Sequence, residues 1–501
     1  MANTFETVGV VGLGTMGAGI AEVFARAGIA VVGVETDPGA LERGRGHLEG
    51  STGRALERGR LTEAERAEIL GRVAFTTSLE DLSDCDLVVE AIPEVMDFKR
   101  ALFTDLDRVC KPSAVLATNT SSLSVTAIAA TTTRPGRVVG MHFFNPAPVM
   151  RLVEVVRTVS TEDGLAEEVA GLAHRLGKTP VTVADRAGFV VNRLLLPYLN
   201  HAAALLEHGL STRDDIDTAM RLGAGFPMGP FALLDLIGLD TSYEICEALF
   251  RESRERRHAP APVLRELVTA GLLGRKSGRG FHGEEPPANP SAEEKPSAST
   301  VAVVGATAPN GTGAADGAAE AFAERLSEAG FKTTPVEEAD LVVAVSRTPV
   351  IEQAVRLPHP ARLVGLNLVG DQVAEVASTV LTSPGAAQVA RGLLRILGRT
   401  PVSCRDRAGF VVGALLHPHL NDAVRMYESG YASMEDIDTA MRLGCGYPAG
   451  PFEMLDRLGP ETVRDGLRAL YAEYRDPSFA PAPLLDQLVT AGVRSIRDLS
   501  S

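Results

Sequence analysis

Six consecutive residues, Gly12-Leu13-Gly14-Thr15-Met16-Gly17, match the spacing GxGxxG. Glycines at these positions allow a tight turn, an open approach of a pyrophosphate to backbone, and close packing of a helix on a strand. The helix that follows offers free N–H groups and the positive end of its dipole to phosphates. The pattern comes straight after a β-branched run, TVGVVG (7–12), and opens the helical stretch IAEVFARAG. An acid, Glu35, ends the next strand-like run 18 residues past Gly17. That context predicts a bound dinucleotide, with a purely structural glycine turn as the alternative. Glu35 would accept hydrogen bonds from ribose hydroxyls and repel a 2′-phosphate, which favours NAD over NADP.

A second set of polar residues falls at strand ends. His142, in GMHFFNPAPVM, closes an apolar run. Ligands of a doubly wound sheet sit at the carboxyl ends of its strands, so this imidazole faces the cofactor crevice. Oxidation of an alcohol by hydride transfer needs a base for the hydroxyl proton, and imidazole titrates in the useful range. Glu154 lies twelve residues on, in the apolar run RLVEVV. A buried carboxylate needs a partner, and an imidazolium formed in turnover would be one. The competing reading is a hydrogen-bonded core histidine with an edge-strand glutamate. Ser121, in NTSSL, either donates to a substrate oxygen or caps the helix SVTAIAA. Asn192 is polar within FVVNRLLLPYL and either meets the substrate or bonds a neighbouring helix. Arg54, Arg58 and Arg60 form a basic cluster, read as a solvated face or as a contact for a phosphate-rich ligand.

Strands are needed to position these groups. IAVVGVE, DLVVEAIPE (86–94), SAVLATNTSS (113–122) and GRVVGMHFF (136–144) read as buried strands alternating with helices. This implies a parallel α/β sheet covered on both faces. Beyond Thr179 the pattern turns to long amphipathic helices, one of them ended by Gly209.

An internal repeat organises the rest. DRAGFVV (185–191) recurs at 406–412 and DIDTAMRLG (215–223) at 436–444, both offset by 221. Between Asp185–Gly238 and Asp406–Gly459, 32 of 54 ungapped positions are identical, so a helical domain is duplicated. The Pro-rich stretch 284–300 reads as a linker. VAVVGA (301–306) begins a shortened sheet fragment whose GATAPNGTGAADG (305–317) no longer keeps GxGxxG spacing. The expected division is 1–183 Rossmann-type, 184–283 helical, 284–300 linker, 301–402 degenerate Rossmann fragment and 403–501 second helical copy.

Composition narrows the function. The net charge of −15 over 501 residues argues against general nucleic-acid or anionic-membrane binding. Five widely spaced cysteines form no CxxC, which disfavours a disulfide framework and a metal cluster and fits a cytoplasmic location. No apolar run reaches membrane-spanning length.

Together, GLGTMG, EAIPE, NTSSLS, HFFNPAPVM with LVEVV, DRAGFVVNRLL, DIDTAMRLGAGFPMGPF and GRKSGRGF resemble the L-3-hydroxyacyl-CoA dehydrogenases over residues 6–282. The 3-hydroxybutyryl-CoA dehydrogenases are in this group. The rest of the chain is similar to longer bacterial members, some of which act on 3-hydroxyadipyl-CoA. The resemblance implies NAD-dependent oxidation of a (S)-3-hydroxyacyl-CoA, with His142 as base and Glu154 as its orienting partner. It implies that Ser121 and Asn192 bind the substrate, and that Gly12 to Gly17 and Glu35 hold the adenosine half of NAD. Glu94, Lys99, Asn145 and Lys276 match positions that contact the cofactor. The resemblance further implies that Arg54, Arg58 and Arg60 lie where family members bind the phosphates of coenzyme A. The second half has Asn367 in place of His142 and Gly413 in place of Asn192, which leaves one active site per chain. The two helical copies are expected to form an internal pseudo-dimer, with further homodimerisation open. A free hydroxy acid (L-gulonate-like) dehydrogenase and a non-catalytic NAD-binding protein are the competing functions.

Overall fold

The computed structural model describes residues 5–283, 300–305 and 316–500. The linker expected at 284–300 and most of the glycine-rich stretch 305–317 lie outside the described residues. The chain forms two compact units that cut across its linear order. One comprises Met1–Arg193 with Met426–Gly446, the other Leu194–Arg425 with Tyr447–Ser501.

In the first unit, eight strands form one sheet in the order β3-β2-β1-β4-β5-β6-β7-β8. They are β1 (Thr7–Val11), β2 (Ala30–Val34), β3 (Val73–Thr76), β4 (Leu87–Glu90), β5 (Val115–Thr118), β6 (Val138–Phe143), β7 (Leu152–Arg157) and β8 (Thr179–Ala184). Their apolar residues read as continuous runs because both faces are covered. The β1 residues Val8 and Val10 pack with Ile20 and Phe24 of helix α1 (Thr15–Arg26) in a single core. Helix α2 (Pro38–Glu57) follows β2, and the short helix α3 (Val125–Ala129) follows β5.

The sheet departs from the all-parallel expectation at one place: β7 runs antiparallel to β6. The connection between them, residues 144–151, is too short for the crossover that a parallel neighbour requires. Its consequence is a register that sets His142 directly opposite Glu154. Because β7 also pairs with β8, Glu154 stands on an interior strand, not at an edge.

The second unit repeats a smaller version of this sheet. Its order is β10-β9-β11-β12-β13-β14, from β9 (Thr300–Gly305), β10 (Lys332–Thr333), β11 (Leu341–Val345), β12 (Leu363–Val369), β13 (Val373–Ser378) and β14 (Thr400–Arg405). Here β12 and β13 are the antiparallel pair, and Asn367 stands opposite Glu375. The unit holds helix α4 (Val191–Glu207) beyond its first turn, helix α5 (Arg213–Thr218) and most of helix α6 (Val412–Glu428).

The duplicated helices exchange sheets. Helix α7 (Met434–Cys445) belongs to the second copy but packs on β7 and β8 of the first unit, where Ala184 N–H donates to Tyr431 O at 3.2 Å. In the second unit, α5 of the first copy packs on β14, and Arg405 N–H donates to Leu210 O at 2.8 Å. The two bonds are equivalent under the 221-residue offset. Also within the second unit, Phe226 stacks on its own repeat equivalent, Tyr447, with ring centroids 4.1 Å apart and planes 11° from parallel. Tyr198 meets its equivalent, His419, at 5.4 Å. Both contacts join residues related by the 221-residue offset and bury aromatic rings against one another. Phe226→Ala is therefore expected to lower unfolding free energy by about 3–5 kcal/mol, measured by urea denaturation.

Candidate active site

The first unit brings most of the predicted residues to the carboxyl ends of β1, β2 and β4–β6. Gly12 has φ +87°, and a Cβ there would lie 2.9 Å from the Ala91 carbonyl, so both conformation and space demand glycine. A Cβ on Gly17 would collide with the Gly12 carbonyl, which fixes how closely α1 approaches β1. Gly14 is different: a Cβ there would meet nothing within 4 Å, and both Gly14 and Thr15 are exposed. The protein does not itself need that glycine, and the open backbone suits a pyrophosphate resting against it. Met16 is half-buried beside the core. Leu13 is buried, and its N–H donates to Glu35 Oε1 at 2.6 Å. The Glu35 carboxylate is thereby fastened to the glycine loop. Loop, helix start and acid fit a dinucleotide with free ribose hydroxyls.

The next strands carry a network that the sequence only partly announced. Glu94 Oε1 accepts from Thr120 Oγ1 at 2.6 Å, Ser121 N–H at 2.9 Å and Ser122 N–H at 3.1 Å. Burial raises the affinity of Glu94 for its proton, but Lys99 and these donors outweigh it and hold the carboxyl below the usual range. Lys99 is 1% exposed, with its ammonium 2.6 Å from Glu90 and 3.3 Å from Glu94. It thus stands behind Glu94, committed to two carboxylates. Glu90 also accepts from Thr118 Oγ1 at 2.7 Å, and Asn119 Oδ1 accepts from Phe143 N–H at 2.8 Å. Neither Glu90 nor Asn119 was singled out, although an acid inside the apolar run DLVVE was a visible signal. Ser121 is not the helix cap. Ser124 caps α3, its hydroxyl accepting from Ala127 N–H at 3.1 Å, and Asp185 accepts from Val125 and Thr126 N–H.

His142 and Glu154 form the centre of the site. His142 Nδ1 is 2.7 Å from Glu154 Oε2; the histidine is 7% exposed and the glutamate fully buried. The other oxygen, Oε1, accepts from Val190 N–H at 2.9 Å and Val191 N–H at 3.0 Å, where α4 begins. A carboxylate only accepts, so Nδ1 is the donor, and in the neutral ring Nε2 carries the lone pair. Nε2 has no partner among the described residues. The rings of Phe144 and Phe189 lie 4.5 and 5.6 Å from the imidazole and limit its rotation. Asn192 follows Val191 in the first turn of α4, half-buried and with no side-chain hydrogen bond among the described residues. Asn145 lies two residues past β6, exposed on the loop after His142. This is a geometry that can remove a proton from a hydroxyl: an imidazole nitrogen at the strand ends, its ring held by an acid behind it.

Two predicted elements lie elsewhere. Arg54 is in the last turn of α2, Arg58 caps it and Arg60 follows, all exposed and without acidic partners among the described residues. Lys276 belongs to the other unit, where its ammonium pairs closely with Asp240. The GRKSGRGF tail is tied down there by Asp235, which accepts from Phe281 and His282 N–H, both at 2.8 Å. No group of residues able to hold a metal ion occurs among the described residues, and none of their helices is long and apolar enough to cross a membrane.

The second unit keeps the frame but has an amide where the first has an imidazole. Asn367 Nδ2 donates to Glu375 Oε2 at 2.6 Å, and Glu375 Oε1 accepts from Val411 and Val412 N–H at 2.9 and 2.8 Å. These are the repeat equivalents of Val190 and Val191.

An opened glycine loop, an acid fixed beside it and an acid-held imidazole at the strand ends define a dinucleotide-dependent oxidoreductase. Comparison with known proteins narrows this class. The family model for the 3-hydroxyacyl-CoA dehydrogenase NAD-binding domain matches residues 7–186, and that for the C-terminal domain matches 188–283 and again 409–495. The chain is 36% identical to an Escherichia coli 3-hydroxyadipyl-CoA dehydrogenase, over 98% of this chain and 99% of that one. It is 48% identical to a Mycobacterium tuberculosis 3-hydroxybutyryl-CoA dehydrogenase, over 56% of this chain and 99% of that one. A crystal structure of 3-hydroxybutyryl-CoA dehydrogenase from E. coli superposes with a TM-score of 0.85 at 35% identity, covering 98% of this chain and all of that one. The chain belongs to the 3-hydroxyacyl-CoA dehydrogenase family. It is an NAD-dependent oxidoreductase with a Rossmann-type domain.

The twin carboxylates give a pH test. Full burial raises the Glu375 carboxyl to about 7, against the pull of Val412, Asn367 and Val411. Its folded value lies above its unfolded one, so the stability it contributes is complete below about pH 4.5 and lost as pH rises through about 7. Glu375→Gln is expected to remove that loss, raising stability above wild type at pH 8 by up to roughly 3 kcal/mol. Urea midpoints at pH 5 and pH 8 measure it.

Proposed function

We propose that the chain interconverts (S)-3-hydroxybutyryl-CoA and acetoacetyl-CoA, with residues 1–183 holding the cofactor and 184–283 contributing to the substrate cleft. The observation that carries this reading is the His142–Glu154 pair with a free Nε2. His142 takes the hydroxyl proton, and Glu154 orients the ring and stabilises the imidazolium that results. Ser121 and Asn192, polar groups near the same strand ends, bind the reacting oxygen or the thioester. NAD, when bound, supplies the hydride acceptor. Residues Gly12, Leu13, Gly14, Thr15, Met16 and Gly17 receive its phosphates and Glu35 its ribose; Glu94, Asn145 and Lys276 are further cofactor contacts, with Lys99 acting through Glu94. Arg54, Arg58 and Arg60, without acidic partners among the described residues of a chain of net charge −15, meet coenzyme A phosphates.

The helical copies act as an internal pseudo-dimer. Support comes from the stacking of Phe226 on Tyr447 and of Tyr198 against His419, each pair related by the repeat. With Asn367 for His142 and Gly413 for Asn192, residues 301–501 carry no second active site. Five cysteines without a disulfide suit a cytoplasmic location.

A second acyl group has its own support, since the relative named for 3-hydroxyadipyl-CoA matches this chain end to end. The two are separated by comparing kcat/KM for the butyryl and adipyl thioesters. Acetoacetyl-CoA reduction is expected with NADH and at a far lower rate with NADPH. His142→Gln is expected to lower kcat by about 10²–10⁴. Equal turnover by wild type and His142→Gln overturns the assignment.

A further inference from the structure

Gly444 lies inside helix α7, one residue before its end, with no positive φ to require glycine. Alanine is the better helix former by about 1 kcal/mol, so local preference argues against glycine there. Space explains it. A Cβ at position 444 would stand 2.8 Å from Val191 Cγ2, 3.3 Å from Val191 Cγ1 and 3.1 Å from Leu152 Cδ2. Both neighbours are buried, and valine, branched at Cβ, has little freedom to yield.

These two side chains flank Glu154. Val191 is one of the two residues whose N–H groups hold Glu154 Oε1. Leu152 precedes Glu154 by two on β7, so it projects from the same face of the sheet. The next residue of α7 lies within reach of the Glu154 charge: burial pushes the Cys445 thiol up, and that charge pushes it further. The end of α7 therefore packs against the residues that hold Glu154, although α7 comes from the duplicated copy that has Asn367 in place of His142.

We propose that Gly444 is a positioning residue for the first active site, so that the second helical copy completes the catalytic machinery instead of only supporting the fold. A side chain at 444 displaces Val191 and Leu152, and with them the carboxylate that fixes the Nδ1 side of His142. The effect falls on kcat, because the glycine loop and Glu35 lie on other strands. The inference rests on the proposed roles of His142 and Glu154.

The repeat supplies a control. Gly223 is the equivalent glycine in the second unit, where a Cβ would lie 3.1 Å from Val369 and 3.2 Å from Val412. That neighbourhood serves Glu375, which has no histidine partner.

The test uses the full chain in acetoacetyl-CoA reduction, with kcat, KM, NADH affinity and melting temperature measured for each variant. Gly444→Val is expected to lower kcat at least tenfold with NADH affinity unchanged, and Gly444→Ala to lower it less. Adding Val191→Ala to Gly444→Val makes room and is expected to recover most of kcat. Gly223→Val is expected to lower the melting temperature while kcat holds. If Gly444→Val does not fold, the same comparison is read from Gly444→Ala with and without Val191→Ala. Wild-type kcat in Gly444→Val, no recovery in the double variant, or an equal kcat loss at Gly223 overturns the inference. Wild-type turnover that depends on His142 but ignores position 444 leaves the activity standing; a wild type without turnover overturns both.

Discussion

Everything in the catalytic half converges on the buried carboxylate of Glu154. One oxygen faces His142 Nδ1 at 2.7 Å, and the other accepts the two N–H groups that open α4. A fully buried carboxylate is costly unless its acceptor sites are filled, and here strand β6 and the start of α4 fill them. The same contacts decide the chemistry. They make Nδ1 the donor and, in the neutral ring, leave the lone pair on Nε2, which is the arrangement the proposed role of His142 as base requires.

The shape of the sheet follows from this. A parallel β7 would need a crossover and would lose the register that sets residue 142 against 154. The antiparallel turn over residues 144–151 keeps that register, and β8 then covers β7 so that Glu154 is interior. The second unit shows what the frame is worth without its base. Glu375 keeps the two backbone donors and gains Asn367, and full burial raises its carboxyl to about 7 against the pull of all three. The carboxylate socket joins sheet to helix in both copies.

Much of this was legible in local sequence. The glycine loop, Glu35, His142, Glu154 and the 221-residue repeat are matters of residue type and spacing, and the structure assembles all but the repeat at one set of strand ends. What spacing does not encode is which distant segment lands on which. The docking of α7 on β7 and β8 joins residues nearly three hundred positions apart and leaves no periodic trace. Asp185 reaching back to the start of α3, and Lys99 turning inward to Glu90 and Glu94, are of the same kind. Ser121 and Ser124 show a subtler limit. Both precede the same helix at plausible capping distance, and only backbone geometry assigns the cap to Ser124.

The most direct measurement of the central claim is the rate of NADH oxidation by acetoacetyl-CoA in Glu154→Gln, with NADH affinity measured on the same sample. The account predicts retained NADH binding, which reports an intact fold, and turnover lowered at least about tenfold because the ring loses its charged partner. Wild-type turnover in a variant that still binds NADH would contradict it, and would make Glu154 a structural plug in the sheet.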